Sequence, residues 1–264
     1  MKITALVENT TKSDLKTAHG LSFYIETKSH VILFDLGPDD TLFENAAKRN
    51  IDISKVDTVI ISHGHYDHGG GLKRFLDINS VANVFIQEAA FEPYYSKTPF
   101  SETPIGLDES LKGHRQIKLI SDDYKIDDEL FIFTVANTDK LHSPANDTLY
   151  DKNGRDKFLH EQNLIISEDK TVLIIGCGHV GVTNIMEKAE KYKQDVCIGG
   201  FHLYNPSTKE TVPKTLLDDI STELQKYEDT LFYTCHCTGE QAYNYLSKKM
   251  KNLNYISCGD VLEI

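Results

Sequence analysis

The sequence predicts an α/β protein, and three observations carry that prediction. Short apolar runs rich in Val, Ile and Phe recur at strand length along the chain. From Thr183 onward they alternate with segments of helical spacing. Five of the runs, scattered from Val31 to Thr234, end in a residue that binds metal or moves protons: Asp35, His63, Cys177-Gly178-His179, His202 and Cys235-His236-Cys237. In open α/β layers, sites form beyond the carboxyl ends of strands, where loops converge. The coincidence of endings points to one active site at the edge of the sheets.

Taken in order, residues 1–8, 22–27 and 30–34 read as strands, and residues 39–49 as a helix with acids in its first turn and bases in its last. The run Val56–Ile61 feeds a histidine-rich motif, and a helix begins near Gly71. A strand follows at Val84–Ile86. Residues 92–115, with three prolines and two glycines, show no lasting period and read as an irregular loop or insertion over a site. Strands are expected at 117–120 and 130–135, then a second polar loop through Asp156, then strands at 164–166 and 172–175. Helices at 183–193, 215–226 and 240–251 alternate with strands at 196–198 and 231–233. Short strands at 255–256 and 261–262 end the sequence, which reads as a single domain over 1–264.

The stretch Ile61-Ser62-His63-Gly64-His65-Tyr66-Asp67-His68-Gly69-Gly70-Gly71 organises the chain. A strand leading into it points His63 and His65 the same way, because strand side chains repeat every two residues. A turn into helix at the glycines swings Asp67 and His68 towards a second point. Imidazole and carboxylate are typical zinc ligands, and imidazole also suits Fe and Ni. His179 and His236 complete the pair: His63, His65 and His179 for one metal, Asp67, His68 and His236 for the other. Cys177 is an additional candidate ligand, and Asp35 an acceptor holding a ligand imidazole. His202 is a candidate to hydrogen-bond substrate. Cys235 and Cys237 read as packing, His19, His30 and His114 as ordinary, with His142 and His160 undecided.

Composition narrows the function. At 264 residues the chain is long enough for a large core. A net charge of −12 weakens the case for a general nucleic-acid binder, which wants a basic face. No apolar run approaches the roughly 20 residues of a membrane helix, and Met1–Asn9 is too soon polar for a signal peptide. The five cysteines, odd in number and confined to the last third, speak against a disulfide framework and for a reducing cytoplasm.

His63-Gly64-His65-Tyr66-Asp67-His68 resembles the defining motif of the metallo-β-lactamase superfamily, with Asp35, His179 and His236 in the expected order. Val7-Glu8-Asn9-Thr10, His19-Gly20-Leu21-Ser22, Leu33-Phe34-Asp35-Leu36-Gly37, Gly199-Gly200-Phe201-His202-Leu203 and Cys235-His236-Cys237-Thr238-Gly239 narrow the likeness. They are similar to the branch containing an archaeal methanopterin-biosynthesis enzyme, 7,8-dihydropterin-6-methyl-4-(β-D-ribofuranosyl)aminobenzene-5'-phosphate synthase. The resemblance implies an αββα sandwich of two mixed sheets with helices on both outer faces. It implies one or two zinc ions, with Mn, Fe or Ni as alternatives, and catalytic roles for Asp67 and His202. The implied activity is a metal-dependent hydrolase of a small anionic or phosphorylated, pterin-like molecule, or a synthase-like transferase. A ribonuclease Z-like nuclease and a non-catalytic metal- or ligand-binding module are further alternatives. No nucleic-acid or membrane partner is expected, and a homo-oligomer stays open. One departure is visible: superfamily hydrolases commonly end a late strand in Gly-Asp, whose carboxylate bridges two metals. Here the corresponding words are Gly176-Cys177, which leaves a single tight site with a weaker second as an alternative.

Overall fold

The computed structural model describes residues 1–136 and 140–264. Two seven-stranded sheets form its centre. The first runs Val261–Glu263, Lys2–Val7, Ser22–Glu26, Val31–Phe34, Thr58–Ile60, Asn83–Gln87, Ile117–Ile120. The second runs Leu253–Tyr255, Leu231–Thr234, Val196–Gly199, Thr171–Ile174, Asn163–Ser167, Leu130–Phe133, Tyr124–Lys125. Both are mixed: Val31–Phe34 pairs in parallel with Thr58–Ile60 but antiparallel with Ser22–Glu26, and Thr171–Ile174 pairs in parallel with Val196–Gly199 but antiparallel with Asn163–Ser167.

Alternation along each strand explains the layering. Ile32 and Phe34 pack with Ile60 and Phe85 against Ile132, Ile166, Ile174 and Ile198 of the other sheet, making the core between the sheets. Leu33, Val59, Val84 and Ile86 face the other way, onto Leu42, Ala46, Leu72 and Phe75 of helices Thr41–Lys48 and Leu72–Ile78. In the second sheet Leu173, Cys197 and Phe232 turn outward onto Ile185, Leu217, Ile220 and Leu246 of helices Val182–Ala189, Lys214–Leu224 and Glu240–Leu246. A strand whose two faces both meet apolar neighbours reads as a continuous Val/Ile/Leu run, as Thr171–Ile174 does. The expected αββα sandwich is the observed fold.

Three expectations need correction. Residues 92–115 are not irregular: Tyr95–Thr98 and Ser101–Pro104 form a hairpin, joined through Tyr95–Thr98 to Leu149–Asp151 and Gly154–Arg155 in a separate four-stranded sheet. The pairing is made by tertiary contact with a distant segment, which local periodicity does not register. The polar loop before Asp156 supplies that segment and a short helical turn at Pro144–Thr148. Its residues 137–139 lie outside the described residues. The later helices also stop sooner than expected, at Ala189, Leu224 and Leu246.

Candidate metal centre

The parallel strands deliver their ends to one edge. Ladder pairing of Thr58–Ile60 stops three residues short of His63, and the helical turn starts at Tyr66, ahead of the glycines rather than at them. Asp35 holds the bend between them. Its buried carboxylate accepts from the Ser62 backbone N–H at 2.7 Å and from the Ser62 hydroxyl at 2.8 Å, and lies 2.6 Å from His68 Nδ1. Asp35 itself has φ +61°, a conformation that Asp tolerates better than most residues.

Two donor clusters result. The side-chain donors of His63, His65 and His179 lie within 4.8 Å of one another, with His63 Nε2 3.3 Å from His179 Nε2. In the second, His68 Nε2 is 3.3 Å from His236 Nε2, and the Asp67 carboxylate is 3.3 Å from His236 Nε2 and 3.7 Å from His68 Nε2. Cys177 Sγ lies 3.1 Å from His68 Nε2 and groups both with His63 and His68 and with His236 and Cys237. All these side chains are buried.

The imidazoles are tethered from outside. His63 Nδ1 meets Ser62 Oγ at 2.8 Å, His68 Nδ1 meets Asp35, His179 Nδ1 meets Asn146 Oδ1 at 2.9 Å, and His236 Nδ1 meets Asn9 Oδ1 at 2.9 Å. Each Nε2 therefore points inward. Metal-ligating histidines use this arrangement: one nitrogen fixed by an outer partner, the other left for the ion. His65 Nε2 is buried with no hydrogen-bond partner among the described residues, 3.9 Å from Asp156. An orphaned buried nitrogen is costly unless something completes it. The donor set of neutral nitrogens, a carboxylate and a thiol fits a divalent metal, zinc above all.

Protonation is consistent with that fit. Burial and the neighbouring imidazoles hold His63 and His179 well below the usual histidine range, so both are neutral ligands in waiting. Burial disfavours the His68 cation, but Asp35 and Asp67 outweigh it and raise its pKa to about 9. Burial also opposes charge on Asp67, yet His68 and His236 hold its carboxyl far below the ordinary range. Without metal, a proton on His68 balances these carboxylates. Burial pushes the Cys177 thiol well up.

Several participants escaped the sequence reading. His19 lies 3.5 Å from Asp67 with its ring 4.8 Å from that of His236, and so belongs to the site rather than being ordinary. Cys237, read as packing, donates to the Cys177 carbonyl at 3.3 Å beside the second cluster, while Cys235 does sit in the intersheet core. His160 accepts from the Gly64 N–H at 2.8 Å and faces Asp156 at 2.9 Å, bracing the motif. Glu8 accepts the His236 N–H at 2.7 Å, and Glu161 accepts the N–H groups of His179 and Val180, with burial lifting its pKa to about 7. Asn9 and His19 fall in the branch-like words; Glu161 and Asn146 carried no signal.

Above the clusters lies a cavity of about 400 Å³, walled in part by His65, Asp67, Cys177, His179, His202 and His236. His202, with φ +47°, sits 4.1 Å ring to ring from His179, and neither of its nitrogens has a partner among the described residues.

Fold and site define a class, and the comparisons agree with it. The family model for the metallo-beta-lactamase superfamily matches residues 16–159. The chain belongs to the metallo-β-lactamase superfamily. It is 31% identical over 272 residues to an uncharacterised protein of Methanocaldococcus jannaschii, MJ0448, covering 99% of this chain and 100% of that one. It is 30% identical over 257 residues to the 7,8-dihydropterin-6-methyl-4-(β-D-ribofuranosyl)-aminobenzene-5'-phosphate synthase of the same organism, covering 88% and 85%. The crystal structure of Tm1679, a metal-dependent hydrolase of the β-lactamase superfamily, superimposes with a TM-score of 0.83 at 28% identity, covering 100% and 99%.

Proposed function

We propose that the chain is a metal-dependent hydrolase of a small anionic or phosphorylated molecule. His63, His65 and His179 would hold one zinc ion, and Asp67, His68 and His236, with Cys177 beside them, a second. The carrying observation is the inward convergence of imidazole Nε2 atoms whose Nδ1 atoms are tethered outside. When bound, such ions supply Lewis acidity to a carbonyl or phosphoryl oxygen and lower the pKa of water. His202, which lines the cavity and whose buried nitrogens have no hydrogen-bond partner among the described residues, would donate to negative charge developing on substrate. Asp67 serves both as ligand and as the carboxylate nearest the reacting centre. Five unpaired cysteines suit a reducing cytoplasm, and the −12 net charge disfavours a nucleic-acid substrate.

The test is metal content by elemental mass spectrometry on untagged protein, with turnover of phosphoesters and lactones measured alongside. Two metals in the wild type, reduced in His65→Ala and His236→Ala together with turnover, support the proposal. A metal-free protein that resists reconstitution sinks it. The relative named as a synthase, 30% identical over 88% of this chain, favours a second reading, a transferase of pterin-like substrates. Products formed in ¹⁸O-labelled water separate the two, because only hydrolysis incorporates the label.

A further inference from the structure

The cavity has a floor and a wall of different chemistry. The floor is the histidine and carboxylate cluster. The wall is the hairpin Tyr95–Thr98 and Ser101–Pro104, whose strands pair in the register Ser96↔Thr103 and Thr98↔Ser101. Residues alternate across a strand, so Ser96, Thr98, Ser101 and Thr103 share one face, and all four line the cavity. Thr148 and Ser207 extend the row. The intervening Lys97 turns away: its ammonium lies 3.1 Å from Glu102 and over the rings of Tyr95 and Tyr150.

This wall carries no charge. No Lys or Arg lines the cavity among the described residues, and Tyr66 is the only Phe, Tyr or Trp there. A second anionic group far from the floor would meet no cation, in a protein of net charge −12. A flat aromatic body would find little to stack on. Hydroxyls both donate and accept. Thr98 Oγ1 and Ser101 Oγ meet at 2.9 Å, and Ser96 Oγ and Ser207 Oγ at 3.0 Å. Each pair keeps one donor and spare acceptor capacity for a ligand, and the opposed strand positions repeat about 7 Å along the hairpin. Such a lattice suits a ligand that itself alternates donors and acceptors. His202, its buried nitrogens unpartnered among the described residues, lines the same cavity.

Resting on the hydrolase reading above, we propose that the substrate is a sugar-like polyol carrying one anionic or electrophilic group. The group reaches the floor, and the hairpin hydroxyls recognise the neutral, hydroxyl-bearing body. Ser96, Thr98, Ser101 and Thr103 thereby determine specificity.

The experiment uses the full chain loaded with zinc, its metal content verified, and calorimetric titration with three probes: inorganic phosphate, n-hexyl phosphate and glucose 6-phosphate. Glucose 6-phosphate is expected to bind at least tenfold more tightly than the other two. The Thr98→Val/Thr103→Val double variant removes that advantage, while Lys97→Ala, on the opposite face, preserves it. Ser101→Ala, a smaller change near the hairpin tip, lowers it partially and stands in if the double variant fails to fold by circular dichroism. Equal binding of all three probes, or an advantage indifferent to the hydroxyl changes, overturns the inference and leaves the metal-centred reading intact. Failure of every probe to bind a zinc-filled protein overturns the anionic-group reading, and the inference with it.

Discussion

Removing Asp35 tests the claim that an outer carboxylate holds the site together. In Asp35→Ala three donors lose their acceptor: the Ser62 N–H, the Ser62 hydroxyl and His68 Nδ1. The hydroxyl has an alternative in His63 Nδ1, 2.8 Å away, so two buried donors stay orphaned. Counted as two orphaned donors the loss is roughly 2–6 kcal/mol, and counted instead as one broken buried charged pair it is about 3–5 kcal/mol. A loss near 4 kcal/mol follows for the metal-free protein, inside the roughly 5–15 kcal/mol by which domains are stable, so the variant still folds. With a urea slope of about 3 kcal/mol/M, the midpoint falls by about 1.3 M. Metal affinity, read by competition with a chromophoric chelator, drops by about 10–100-fold. Asp35→Asn separates backbone from charge: it tolerates the left-handed conformation and keeps one acceptor, so its loss is smaller. A midpoint unchanged within about 0.2 M, with unchanged metal affinity, would refute the reasoning.

Three further outcomes are expected. His30 bridges the sheets, with Nδ1 3.0 Å from Asp57 and Nε2 2.7 Å from Asp127; burial disfavours its cation, but the two carboxylates win and raise its pKa. The bridge therefore stabilises fully below about pH 6.5 and fades as pH climbs through the raised value. Asp127, held low by backbone N–H groups and His30 against its burial, keeps its share down to about pH 4 and withdraws it below that, as pH falls through its lowered value. The urea midpoint of wild type minus His30→Gln should accordingly peak between these limits; a flat difference contradicts the bridge. Gly176→Ala drives a methyl into the Ser62 side chain beside Asp35, so it should destabilise by about 1–3 kcal/mol and weaken metal binding; a variant of wild-type midpoint would show that the bend yields. Ile174→Ala, in the intersheet core and fully buried, should cost about 2–5 kcal/mol in the same assay while metal stoichiometry stays constant.

What the sequence revealed follows physical lines. Strands buried on both faces are dense in Val, Ile and Leu, and the residues just past them are chemically conspicuous, so Asp35, His63, His179, His202 and His236 stood out together. Outer-sphere partners do not stand out: Asn146 and Glu161 look like any loop Asn or buried-strand neighbour until folding sets them against His179. His19 was passed over because a lone histidine in a polar loop has no periodic context. The hairpin at 95–104 was missed for a third reason. Its turn, Pro99-Phe100, lacks the Asn-Gly or Asp-Gly signature of tight hairpins, and its outer partner Leu149–Asp151 is remote in sequence.

The long separation between donors also has a kinetic side. His63 and His179 are 116 residues apart and His68 and His236 are 168 apart. Contacts of that span form late, because loop closure costs entropy before the contact returns anything. During synthesis the His63–His68 cluster emerges far ahead of its partners, so any ion it catches then is held by an incomplete set. Ligand that binds only the native chain adds stability by mass action, about 2.7 kcal/mol at a hundredfold excess over Kd, whereas binding to the unfolded chain subtracts from it. The complete donor set thus exists only in the folded chain, and metal bound there would add to the stability of that state as its free concentration rises.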